Sequence, residues 1–141
     1  MKILGIDYGD KRIGLAMSDA LCMIAGGLDT VTNEGQSKSA CIVTEIIKKE
    51  KVSRVVIGFP KNMNNTLGTR AEITDRFIEL LKEKNSDIEV IKWDERLSSV
   101  SAGRAMRDMG AKKKTKRDKG NIDKISAIII LQGYLDSVAM R

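Results

Sequence analysis

Residues 2–18 read KILGIDYGDKRIGLAMS and carry the strongest structural signal in the sequence. Two apolar-rich runs, Lys2–Asp7 and Arg12–Ser18, flank the compact turn Tyr8–Lys11. Short apolar runs on either side of such a turn are typical of paired antiparallel strands, so the stretch predicts a β-hairpin. Asp7 is then the residue that closes the first strand.

Strand and helix patterns alternate after the hairpin. The expected elements are a third antiparallel strand over Gly27–Thr32, a helix over Ser37–Lys51, a buried strand over Arg54–Phe59, a helix through Ile73–Leu81, a strand over Asp87–Trp93, a short helix to about Met109 and an apolar helix over Ile122–Met140. This order predicts an α/β fold with a mixed sheet and helices on both faces. A chain of 141 residues is expected to form one domain, residues 1–141.

The composition excludes several kinds of chemistry. The sequence contains no histidine, which excludes Ser-His-Asp and Cys-His nucleophile systems and histidine-ligated metals. Cys22 and Cys41 lack the spacing of a zinc or redox motif and favour a reducing cytosol. The longest apolar run, Ala127–Leu131, is far shorter than the ~20 residues that span a bilayer, so we expect a cytoplasmic protein with no membrane association.

The net charge of +6 is concentrated in residues 104–124, which hold nine basic and three acidic residues. The rest of the chain is balanced. A local excess of this kind is typical of a surface that binds a polyanion such as nucleic acid, although a solvated basic loop is the alternative. The candidate nucleic-acid contacts in this segment are Lys112, Lys113, Lys114, Lys116, Arg117 and Lys119.

Three carboxylates stand where predicted elements end or begin. Asp7 closes the first strand, Glu95 follows the last strand, and Asp123 opens the last helix. Functional groups gather at strand ends in open α/β sheets, and a divalent cation such as Mg²⁺ would relieve the repulsion between converging carboxylates. A turn cap, a surface ion pair and a favourable charge at a helix start are the structural alternatives. Spacing alone leaves the choice open.

Five blocks of the sequence resemble the YqgF (RuvX) family of RNase H-like nucleases, in the family's order. They are GIDYGDKRIGLAMSD at residues 5–19, VIGFPKNMNNT at 56–66, WDERLSS at 93–99, IDKISA at 122–127 and LQGYL at 131–135. Together they extend over essentially the whole chain. One departure is Asn64-Asn65, where members usually have Asp-Gly, so no role of that acid is carried over.

The resemblance implies an RNase H-like fold, with a five-stranded mixed sheet whose first three strands are antiparallel. It aligns Asp7, Glu95 and Asp123 with the family's acidic metal-binding triad. The implied chemistry is two-metal-ion phosphodiester hydrolysis with Mg²⁺ or Mn²⁺, which requires no histidine. Further candidate phosphate contacts border these acidic motifs, namely Lys11, Arg12 and Arg96.

The activity that the resemblance implies is processing of the 5′ end of pre-16S rRNA in ribosome biogenesis. A Holliday-junction resolvase acting on branched DNA and a non-catalytic RNA-binding module are the alternatives. An ATPase of the actin or sugar-kinase type is disfavoured, because those proteins clamp nucleotide between two such domains. The Lys/Glu-rich outer faces of the predicted helices favour a monomer over the symmetric dimer that paired junction cuts require.

Overall fold

The computed structural model describes residues 2–59, 69–94 and 119–139. The strands and helices within these ranges are β1 (Lys2–Tyr8), β2 (Arg12–Ser18), β3 (Ala25–Gly27), β4 (Val31–Thr32), α1 (Gln36–Glu50), β5 (Val52–Phe59), α2 (Thr69–Lys84), β6 (Glu89–Asp94) and α3 (Lys119–Ala139). None of the helices in these ranges is long and apolar enough to cross a membrane. The short helix predicted to end near Met109 lies outside the described residues.

The described strands form one mixed sheet in the order β3-β2-β1-β5-β6, and β4 also pairs with β2. The predicted hairpin is present, because β1 and β2 are antiparallel and Asp7 pairs with Gly14. Strands β5 and β6 run parallel to β1, as the α-β-α-β order predicts. The predicted α/β fold with a mixed sheet is therefore confirmed.

The third antiparallel strand differs in detail from the expected Gly27–Thr32. Two short strands, β3 and β4, take its place along β2. The chain remains beside β2 as far as Leu28, whose N–H donates to the Leu15 carbonyl at 2.9 Å, and the strand pairing resumes at Val31. The interruption at Asp29 and Thr30 divides what the apolar pattern predicts as one strand.

Alternate residues of β1 serve two separate hydrophobic cores, one on each face of the sheet. Leu4, Ile6 and Tyr8 belong to the core that α1 and α2 cover. Ile3 belongs to the opposite core, which α3 supplies with fully buried side chains such as Leu131. Helices therefore cover both faces, as predicted, because side chains alternate between the faces of a strand.

Helix α3 lies directly on β1 at Gly5. A Cβ atom at Gly5 would lie 2.7 Å from the Leu131 Cβ and 3.1 Å from the Ala127 carbonyl oxygen. Neither atom is the end of a flexible side chain, so the absence of a side chain at Gly5 sets the distance between helix and strand. This contact fixes the position of α3 across the sheet.

The start of α3 requires a correction. The helix begins at Lys119, whereas the apolar pattern predicts a start at Ile122. Lys119 and Gly120, which the sequence pattern assigns to a basic loop over Lys112–Gly120, therefore belong to the helix. The apolar pattern marks only the part of a helix that packs, and a glycine is tolerated in a first turn, where N–H groups have no intrahelical acceptor.

Candidate active site

The carboxyl ends of β1, β5 and β6 lie side by side at one end of the sheet, which we call the carboxyl edge. Ile6 of β1 pairs with Ile57 of β5, which pairs in turn with Lys92 of β6. At the end of the parallel pair, Phe59 lies opposite Asp94. Parallel strands in this register therefore end side by side at this edge of the sheet.

Asp7 is the penultimate residue of β1 and is half-buried at the carboxyl edge. Strand alternation puts it on the same face as Ile3 and Gly5, which is the face that α3 covers. Its backbone is fixed by the antiparallel pairing with Gly14. The Asp7 carboxylate is therefore attached to a rigid central strand beneath a helix.

Helix α3 runs from the carboxyl edge towards the amino ends of the parallel strands. Ala127 lies against Gly5, and further along the helix the Tyr134 hydroxyl accepts a 2.8 Å hydrogen bond from Arg54, which pairs with Ile3. The helical turn before Ala127 therefore extends towards the carboxyl edge. Residue 123 lies in that turn, four positions before Ala127 and hence on the same side of the helix.

The other predicted site residues lie partly or wholly outside the described residues. Glu95 directly follows Asp94, the last residue of β6, but lies outside the described residues. The same holds for Arg96, Lys112, Lys113, Lys114, Lys116 and Arg117. For Asp123 and Lys119 the helix backbone is described and the side chain is not. Within the described part of the chain, no group of three or more His, Cys, Asp or Glu residues is placed to hold a metal ion. The triad stays a prediction, since two of its three side chains are not in that part.

The β1–β2 turn holds the two described basic candidates, Lys11 and Arg12. The Gly9 N–H donates to the Arg12 carbonyl at 3.0 Å and closes the turn. A Cβ at Gly9 would lie 2.5 Å from that same carbonyl oxygen, so the turn requires glycine there. The Lys11 side chain is exposed and that of Arg12 is half-buried. Both cations follow Asp7 within five residues, at the carboxyl edge.

Asn33 is a residue of this region that the sequence analysis missed. Its side-chain Nδ2 donates to the Gly9 carbonyl at 2.7 Å, and its backbone N–H donates to the Lys11 carbonyl at 2.9 Å. An asparagine and a glycine, Asn33 and Gly35, immediately precede α1, which is the pattern of a helix entry. That pattern identifies the local turn, but the contact with Gly9 is separated from it by 24 residues.

A cavity of about 470 Å³ lies at the opposite end of the sheet, between the C-termini of α1 and α2. Lys48, Lys51 and Lys84 line it. Lysines at helix C-termini complement the partial negative charge of the helix dipole, which accounts for their presence here without a ligand. We therefore assign the candidate site to the carboxyl edge.

Comparison with solved structures defines the class of fold. The chain is similar to Thermus thermophilus RuvC in complex with a Holliday junction substrate, with a TM-score of 0.66 and 15% identity. The match covers 99% of this chain and 96% of the RuvC chain. The chain is also similar to the fowlpox virus Holliday junction resolvase, with a TM-score of 0.60 and 14% identity over 97% of this chain and 99% of that one. The chain thus has the RNase H-like fold of the RuvC-type resolvases, as the sequence predicts.

Sequence comparison identifies the family. Residues 1–137 match the family described as "RuvX: Holliday junction resolvase". A protein of Acetivibrio thermocellus named "Putative pre-16S rRNA nuclease" is 50% identical over 97% of this chain and 96% of its own length. A protein of Staphylococcus haemolyticus with the same name is 47% identical, again over 97% and 96%. The chain belongs to the RuvX family, and family and fold together identify it as a nucleic-acid hydrolase.

Proposed function

We propose that this chain is a divalent-metal-dependent nuclease that cleaves precursor 16S rRNA in the cytoplasm, and that Asp7, Glu95 and Asp123 are its metal-binding carboxylates. One observation carries the proposal. Asp7 lies at the carboxyl edge on the face that α3 covers, β6 ends at that edge one residue before Glu95 in the sequence, and Asp123 lies near the start of α3. The name that these two curated relatives carry supports the choice of substrate.

The topology supports convergence of the three acids. β6 ends at Asp94, immediately before Glu95, in parallel register with β5 and, through β5, with β1. The Gly5 contact holds α3 against β1 one helical turn after Asp123. Asp7 and Asp123 therefore belong to two elements that share this end of the sheet, and Glu95 follows a third in the sequence; this is the end where open α/β sheets collect functional groups.

The donor set fits a hard divalent cation such as Mg²⁺ or Mn²⁺. All three candidate ligands offer carboxylate oxygens, and the cysteines are elsewhere. Cys41 is exposed on α1, which covers the other face, and Cys22 lies 4.0 Å from the hydroxyl of Ser18, which accepts the N–H of Ile3 near the amino end of β1. Oxygen ligands without thiolate or imidazole favour Mg²⁺ or Mn²⁺ over zinc. When bound, such an ion activates water and stabilises charge on phosphate oxygens.

The protein's own residues would hold and orient the substrate. Strand pairing fixes the backbone of Asp7 before any ligand binds, which limits the motion needed to place its carboxylate. Lys11 and Arg12 lie next to it in the chain at the same edge and would neutralise phosphates that flank the cleaved bond. The basic residues of 104–124 would add affinity for the backbone without choosing a sequence, because phosphate contacts release counterions from any nucleic acid.

Action on RNA by a single copy fits the distribution of apolar side chains. Paired incisions in a four-way junction require two active sites related by a twofold axis, and a stable dimer typically covers ~800 Å² on each partner. The most apolar face of α3, which includes Ile130 and Leu135, is buried against the sheet, while Ile129 is half-buried. The large hydrophobic residues exposed in the described ranges are Leu21, Met23 and Ile24, which form one short loop.

Holliday-junction resolution is the second candidate, because the family and the fowlpox virus protein are described as Holliday junction resolvases and the similar RuvC structure is a complex with a Holliday junction substrate. The experiment compares the two substrates directly. Purified protein with Mn²⁺ is given a labelled pre-16S 5′ leader and a labelled four-way DNA junction, with the Asp7→Asn variant in parallel. The proposal predicts cleavage of the leader that Asp7→Asn abolishes. Symmetric paired nicks in the junction with intact RNA would favour the resolvase, and cleavage of neither would favour a binding module.

A further inference from the structure

The side chain of Asn33 connects the β1–β2 turn to the start of α1. On the turn side, Nδ2 donates to the Gly9 carbonyl at 2.7 Å, and the backbone N–H donates to the Lys11 carbonyl at 2.9 Å. On the helix side, Oδ1 accepts from the Gly35 N–H at 3.1 Å and from the Ser39 hydroxyl at 3.0 Å. One residue therefore holds two carbonyls of the turn and two donors of the helix entry.

The helix entry gives Asn33 a rigid base. Ser39 is fully buried, at 0% exposure, and its N–H donates to the Gly35 carbonyl at 2.9 Å. Gln36 ties the same entry to α2 through a 2.7 Å hydrogen bond to the Ile73 carbonyl. The side-chain amide of Asn33 therefore connects the hairpin turn, at the Gly9 carbonyl, to a helix entry that is itself bonded to α2.

The turn presents a lysine that has no ion-pair partner in the described part of the chain. Among residues 2–59, 69–94 and 119–139, no carboxylate forms an ion pair with Lys11. Its side chain is exposed, while its backbone is held at the carbonyl by Asn33. Ordering the backbone in advance lowers the entropic cost of immobilising a long cationic side chain on a ligand.

We propose that Asn33 is a positioning residue for nucleic-acid binding, which fixes the β1–β2 turn so that Lys11 contacts a substrate phosphate at the carboxyl edge. This inference rests on the proposed function, since it takes the carboxyl edge as the place where the substrate backbone lies. It adds a determinant that does not itself touch the substrate and acts through Lys11.

The test is a double-mutant cycle on RNA affinity, measured by fluorescence anisotropy with labelled leader RNA and without metal. Asn33→Ala removes the one side-chain hydrogen bond that holds the turn, at the Gly9 carbonyl, and keeps the backbone bond to Lys11, so it should raise the dissociation constant by about threefold to tenfold. The same substitution should have little further effect in a Lys11→Gln background, because coupled residues are not additive. Ser39→Ala is the matched control: it removes a bond to Asn33 but leaves the turn bonded, and it should change affinity less than about twofold.

Thermal unfolding of each variant separates positioning from folding. If Asn33→Ala does not fold, Asn33→Ser replaces it, since a serine oxygen can still accept the Gly35 N–H but has no amide to donate to Gly9. Equal weakening by the Asn33 variant with and without Lys11, or no weakening at all, would overturn the proposal. Because the readout is binding without metal, its failure is distinguishable from a failure of metal-dependent cleavage, which would refute the proposed function instead.

Discussion

Substitution of Gly5 by alanine tests whether the contact between α3 and β1 sets the active-site geometry. The new Cβ would lie 2.7 Å from the Leu131 Cβ, whereas carbon atoms in contact are about 3.5–4.0 Å apart, so α3 must move away from β1 by about 1 Å. Overpacking of this size costs about 1–3 kcal/mol of unfolding free energy. Asp123 moves with the helix and Asp7 stays with the strand. Since a misplacement of 1 Å can lower a rate about 10²-fold, cleavage should fall by roughly 10- to 100-fold.

Gly26→Ala is the matched control for this prediction. It makes the same change in a strand of the same sheet, but its Cβ would meet only the Met17 carbonyl oxygen at 3.9 Å, an ordinary contact. Urea unfolding and initial cleavage rates, measured where both variants are folded, provide the comparison. If Gly5→Ala and Gly26→Ala had the same unfolding free energy and the same cleavage rate, the packing argument would be refuted. Reduced stability with unchanged cleavage would separate α3 placement from the active site.

Two further predictions concern charge. The first replaces Lys112, Lys113, Lys114 and Lys116 by glutamine. This change should weaken binding to many RNA sequences alike and lower the slope of log binding constant against log salt concentration by about one for each phosphate that is no longer neutralised. An unchanged slope would refute a role of the 104–124 segment in binding phosphates. The second concerns Asp19, whose carboxylate accepts a 2.8 Å hydrogen bond from the Met23 N–H and a longer one from the Ile24 N–H. These two bonds, the first more than the second, hold the pKa of Asp19 below its ordinary value. Stabilisation of the loop over residues 19–24 is therefore complete above the ordinary carboxyl pKa and disappears as the pH falls through the lowered one. Amide NMR shifts of Met23 and Ile24 should titrate with that acidic midpoint, and no acid-dependent change would contradict the hydrogen bonds.

Local patterns were sufficient to predict most of the fold. The hairpin follows from two apolar runs around a glycine-containing turn, and β5 follows from the run ending at Phe59, because such signals involve only neighbouring residues. The position of Asp7 at a strand end was predictable for the same reason. The strand ends that lie beside Asp7 at the carboxyl edge, those of β5 and β6, are determined by the parallel order of the strands and not by sequence spacing.

What the sequence could not provide depends on contacts between distant segments. The sequence does not distinguish Gly5 from a glycine in a turn. Its role in packing becomes visible only once α3 is known to cross β1 at that point. Asn33 marks a helix entry locally, while its bond to Gly9 depends on how the helix entry meets the hairpin. The early start of α3 at Lys119 is likewise absent from the apolar pattern, because that pattern reports burial and not helix length.

Titration of the protein with Mn²⁺ tests whether Asp7, Glu95 and Asp123 form one metal site. Binding is measured by calorimetry for the unmodified chain and for Asp7→Asn, Glu95→Gln and Asp123→Asn, with Asp136→Asn as control, since Asp136 is an exposed carboxylate on α3 that accepts a hydrogen bond from Gln132. If the three acids share one site, each of their substitutions weakens Mn²⁺ binding by about tenfold or more and the control leaves it unchanged. Unaltered Mn²⁺ affinity in any of the three variants, or equal weakening in the Asp136 control, would contradict a shared metal site at the carboxyl edge.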